Sequence, residues 1–216
     1  MKKKISLALC AVMIFACLAA CGGTGKTEPT ATPEPTAAPA FAQGVVDGSV
    51  YASDYIGLRF TAPEGWTFAT NEELMEMVGL SMDTLGGEIT DNELALELAK
   101  QATIYDMFAK ADDNTANVMV MLENLSASMS SKMTEEEYAD VMKQNLEAMT
   151  SISYVVGDTY TADLAGKTFL AMPATMNEMA YQEYFFLKMD KYMLCICFTN
   201  VESPASTGLV ECFSAA

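Results

Sequence analysis

The chain has 216 residues, with 12 basic against 29 acidic side chains, a formal charge of −17 and no histidine. A surface of that sign repels nucleic acid and anionic head groups, so nucleic acid is not expected as a partner. Without histidine, Ser-His and Cys-His catalysis and histidine-built zinc sites cannot arise within the chain, and no enzymatic activity is expected.

The first stretch carries Lys2, Lys3 and Lys4 and then an apolar run from Ile5 to Cys17, polar only at Ser6. That run suits a signal peptide and falls short of the roughly 20 apolar residues a spanning helix needs. Leu18-Ala19-Ala20-Cys21 follows and resembles a bacterial lipobox. The resemblance implies cleavage between Ala20 and Cys21, with residues 1–20 removed and a diacylglycerol on Cys21. The protein is then held by lipid at the extracytoplasmic face of the cell membrane. Acyl chains anchor because each buried methylene adds about 0.8 kcal/mol. No cofactor beyond that covalent lipid is expected.

Residues 21–48 read as a tether. Pro29, Pro33, Pro35 and Pro39 alternate with Thr, Ala and Glu, and too little apolar surface is present to offset the entropy of ordering. Such a segment extends by about 3.1 Å per residue in polyproline form. Gly25-Lys26-Thr27 and Gly166-Lys167-Thr168 each end like a phosphate-binding loop, but Ala20 and Thr161 stand where the first glycine belongs.

Residues 49–216 are expected to form one domain, too short for a two-lobed solute receptor. Tyr55 to Ala62 reads as a strand, turned by Pro63-Glu64-Gly65-Trp66, with Trp66 the single tryptophan and a candidate core anchor. Thr70, Thr90 and Thr134 each precede a glutamate by three residues, the signature of a capping box. The first helix runs to about Val78, and the second carries Leu94, Leu98 and Gln101 on one side. The third runs to about Met149 with Tyr138, Val141, Met142, Leu146 and Met149 on its apolar stripe.

Strands are expected over Ile104–Lys110 and Asn117–Glu123, with Asp112-Asp113-Asn114-Thr115 as the turn. Val118, Val120 and Leu122 should share one face and Met119 and Met121 the other. Ile152–Val156 leads into a hairpin, Thr159–Asp163 with Thr168–Ala171. A second hairpin pairs Ala180–Met189 with Tyr192–Thr199. Leu194, Ile196 and Phe198 alternate with Met193, Cys195 and Cys197, so this strand should be covered on both sides. Ser203-Pro204 favours a closing helix toward Phe213. The fold class is α+β, an antiparallel sheet flanked by helices on both faces.

Tyr55-Ile56-Gly57-Leu58-Arg59-Phe60 followed by Pro63, Gly65 and Trp66 resembles the opening of PsbP-like domains. The order of elements over roughly residues 50–215 is also similar. The resemblance implies an antiparallel sheet between helices and a binding or assembly role. In that family one member serves the photosynthetic oxygen-evolving complex and a relative binds a nuclear-transport GTPase. No catalytic residue is carried over. A protein partner is expected besides the membrane lipid at Cys21.

Two other chemistries are open. Cys195, Cys197 and Cys212 could meet around a soft metal such as copper or zinc, form one disulfide, or stay inert as buried thiols. Methionine pairs such as Met75/Met77 and Met119/Met121 fit soft-metal ligation, and fit core packing better. A carboxylate-dependent hydrolase would draw on Glu135-Glu136-Glu137 or Asp112-Asp113, although the first suits a helix N-terminus and the second a turn.

Overall fold

A computed structural model describes residues 41–77, 103–128, 131–202 and 204–216. Ala20, Cys21 and the helix expected after Thr90 lie outside the described residues. No helix among the described residues is long and apolar enough to cross a membrane.

Two antiparallel sheets form the body. The smaller holds β1 (Val45–Asp47), β2 (Val50–Ser53), β3 (Leu58–Thr61) and β12 (Phe213–Ala215), in that order. The larger runs β4 (Trp66–Phe68), β5 (Thr103–Ala111), β6 (Ala116–Asn124), β11 (Tyr192–Asn200), β10 (Ala180–Met189) and β9 (Lys167–Met176). Its outer edge on β9 is shared by β7 (Tyr154–Val156) and β8 (Tyr160–Leu164). Among the described residues the helices are α1 (Asn71–Met77), α2 (Leu125–Ser128) and α3 (Glu135–Glu147).

The alternation in β6 and β11 divides the core. Val118, Val120, Leu122, Leu194, Ile196 and Phe198 face the small sheet through Tyr51, Leu58, Phe60 and Phe213. Met119, Met121, Met193, Cys195 and Cys197 face α3 through Tyr138, Ala139, Met142 and Leu146. Val141 and Met149 lie only partly buried beside that stripe. The layers are therefore sheet, sheet, helix. Helices were expected on both faces; among the described residues helices cover one face and a four-stranded sheet covers the other, while the helix expected after Thr90 lies outside them.

The closing segment makes the difference. No α-helix forms from Pro204 to Phe213. Thr207 and Leu209 donate backbone bonds three residues back, to Pro204 and Ser206, and Gly208 takes φ +74°. A left-handed residue ends a right-handed helical path. A short 3-10 turn (Val210–Cys212) then releases β12 onto β3. Ala205, Leu209 and Phe213 still reach the core, so their four-residue spacing mimics a helix stripe without making one.

Local signals hold elsewhere. Both described capping boxes form: Glu73 N–H donates to Thr70 Oγ1 and Thr70 N–H to Glu73, and the Thr134–Glu137 pair repeats this. Ala165 and Gly166 have φ 53° and 77°, which closes the β8–β9 hairpin as a two-residue loop with both φ positive. Gly166-Lys167 is thus a turn rather than part of a phosphate loop.

β9 runs to Met176, past the end expected at Ala171, and carries Pro173 inside it. The Pro173 carbonyl accepts from Gly157 N–H at 2.8 Å, so its ring nitrogen also faces the outer edge. There the partner changes from β8 to β7, and no ladder donor is lost to β10.

Ordered contacts begin ahead of residue 49, within the segment read as tether. Val45–Asp47 pairs with β2, and Phe41 lies edge-on to Tyr55 at 5.5 Å. Gly44 N–H donates to Asp106, and a Cβ on Gly44 would sit 2.2 Å from the Tyr51 ring. The absence of a side chain lets the chain pass over that ring. Of the family-like turn, Gly65 has φ +75° and its carbonyl accepts from Asp112 N–H, while Pro63 and Trp66 are only partly buried. Trp66 sits at the rim beside Phe60 rather than at the centre of the core.

Candidate binding groove

Three carboxylates are buried in the large sheet, and each accepts from a tyrosine of another element. Tyr51 of β2 donates to Asp106, Tyr138 of α3 to Glu123 and Tyr160 of β8 to Glu183. The first two pin the small sheet and the helix to the large sheet. Burial raises the phenol pKa of Tyr51 and Tyr138 well above normal, so both stay hydroxyl donors.

Asp106 is the extra residue of a β-bulge between Tyr105 and Met107. It lies in a cleft of about 770 Å³ walled by residues 41–46, β4 and α1. Its carboxyl pKa is raised because burial outweighs the bonds from Tyr51 and Gly44. A carboxyl raised in the folded state contributes most below its unfolded pKa, about 4, and that contribution is lost as pH climbs through the folded value. The melting temperature is therefore expected to fall as pH rises from about 4 toward neutral. Asp106→Asn should flatten that fall, as read by thermal scans of both proteins across the same buffers. Identical slopes would remove Asp106 as the cause.

Glu183 stands elsewhere, where the cover of the large sheet stops. Cross-strand register sets three rows on the small-sheet face. Tyr160, Ala171 and Phe185 form the first; Pro173, Glu183 and Phe198 the second; Val155, Thr175 and Tyr181 the third. The small sheet and the 204–209 segment cover the sheet as far as Phe198 and Phe185. Glu183 sits at the margin, 7% exposed, with Ser206 N–H donating to its second oxygen at 3.2 Å.

Beyond it the third row is bare. Val155 is 64% exposed and Tyr181 41%, with Tyr160 at 44% beside them. Val155 and Tyr181, together with Pro173, Ala174, Pro204 and Ala205, frame an apolar groove of about 280 Å³ with Glu183 in its lining. Burial and the bond to Glu183 push the Tyr160 phenol pKa up, which keeps that donor in place. Aromatic and proline side chains around a desolvated polar group make a surface suited to recognition.

The sequence-derived candidates fall otherwise. Cys195 and Cys197 lie on the helix face, opposite Met121 and Met119, while Cys212 packs on the small-sheet face. The large sheet lies between them, so the three thiols do not meet, and no cluster of three metal-binding side chains occurs among the described residues. Cys195 and Cys212 are free, and burial raises the Cys195 pKa well above normal, favouring the neutral thiol. Glu135 accepts from Lys188 N–H and Glu137 caps α3. Asp112 accepts from Thr67 and Asp113 from Thr115. Both acidic runs therefore have structural tasks.

The groove was missed from sequence, although one signal was present. Glu183 lies inside a strand flanked by Tyr184-Phe185-Phe186, and an acid in a strand apolar on both faces must be buried or sit at an edge of cover.

The structure is similar to the solution structure of cyanobacterial PsbP (CyanoP) from Synechocystis, with 12% sequence identity and a TM-score of 0.46. The match covers 92% of this chain and 99% of that chain. No family model and no curated protein matches the sequence.

Proposed function

We propose that this protein is an extracytoplasmic binding or accessory domain of the PsbP-like kind, anchored to the membrane by lipid on Cys21. The groove beside Glu183 is the surface it offers to a protein partner. One observation carries the reading: the face of the large sheet is covered except at the β7–β9–β10 end, where Val155, Tyr160 and Tyr181 stand exposed around a buried acid. Exposed apolar side chains grouped in this way are a mark of interaction surfaces. The tether gives the domain reach from the bilayer, and the stacked sheets give the groove a rigid frame.

A carboxylate hydrolase has less support, because each buried acid already clasps a tyrosine. Soft-metal capture has less support, because the sheet separates Cys212 from Cys195 and Cys197.

Pull-down from detergent-solubilised host membranes tests the proposal. Val155→Asp puts a charge on an exposed apolar position and is expected to lose at least about ten-fold of the retained partner, in keeping with the cost of a desolvated charge. Glu147→Lys, on the exposed part of α3, should retain it. Equal retention by both variants would place recognition elsewhere.

A further inference from the structure

We infer that the groove seats a basic side chain, arginine above all, carried on an extended segment of the partner protein. This rests on the binding role proposed for the groove. The walls at Val155, Pro173 and Pro204 are apolar and suit the methylene stem of such a residue. Glu183 lies among them with one oxygen accepting from Tyr160 and the other from Ser206 N–H. Both donors are neutral, and no lysine or arginine pairs with Glu183 among the described residues. Each carboxylate oxygen has a second lone pair, so two acceptor positions remain side by side.

A guanidinium brings two parallel N–H donors to such a pair, whereas an ammonium brings a point charge. The Tyr181 ring at the rim can take the face of the cation. A chain of net charge −17 also draws a basic segment and repels an acidic one.

The test uses the full chain in detergent and two rhodamine-labelled peptides, Val-Arg-Val and its citrulline counterpart, read by fluorescence anisotropy. Citrulline keeps the shape of arginine and removes the charge. The arginine peptide is expected to bind about ten-fold tighter, the worth of a charge-assisted hydrogen bond. Glu183→Gln should erase that preference. Tyr181→Ala, at an exposed position that leaves the fold alone, should weaken the arginine peptide.

Equal binding of the two peptides, no binding of either, or a preference that survives Glu183→Gln overturns the inference. The Val155→Asp pull-down decides separately whether the groove itself falls with it.

Discussion

Phe60→Ala is expected to cost about 3–5 kcal/mol of folding stability, a large fraction of the about 5–15 kcal/mol a domain holds. Phe60 is fully buried at the middle of β3, between β2 and β12. Its ring lies 4.9 Å from Phe213 and 6.2 Å from both Trp66 and Phe68. It therefore joins the small sheet, the closing strand and the edge strand of the large sheet. Truncation opens a cavity where all three meet, and β12, only three residues long, loses the nearer of the two rings that hold Phe213. Urea denaturation of the variant measures the loss. A change below about 1 kcal/mol would mean that the small sheet is not the cover of this face.

Cys21→Ala is expected to abolish incorporation of labelled fatty acid and to leave the melting temperature unchanged. The two effects separate because they depend on different parts of the chain. The proposed anchor would depend on the lipid carried at Cys21. Folding is expected to depend on the described body, in which Phe41 packs against Tyr55 and Tyr192. Retained label would put the lipid on another residue. A lowered melting temperature would make the N-terminal segment part of the fold.

Much of the architecture was legible because it is local. The period-two alternation of Val118, Val120 and Leu122 against Met119 and Met121 assigns faces by itself. The Thr134–Glu137 box fixes a helix start within one residue. The misreadings share a physical cause. Ala205, Leu209 and Phe213 recur every four residues, and only the backbone path at Gly208 reveals that a turn and a strand deliver them. The strand expected to end at Ala171 continues through Pro173, which the ladder tolerates where its neighbour changes from β8 to β7. Val45 and Val46 follow a proline-rich run and look like tether until the partner strand β2 is known.

The groove was less legible still. Its rows come from β7, β9 and β10, and its wall from the 204–206 segment, so it exists only once long-range register is set. Glu183 alone carried a sequence signal. For the cysteines the spacing on β11 is local and legible, but the side of the sheet taken by Cys212 is decided by the closing turn.

Photocrosslinking tests most directly whether the groove is the recognition surface of a membrane-held protein. Tyr181→p-benzoylphenylalanine in intact membranes is expected to give a discrete protein adduct. The same probe at Glu147, on the opposite face, is expected to give none. Adducts from Glu147 alone, or from neither position, would contradict the account.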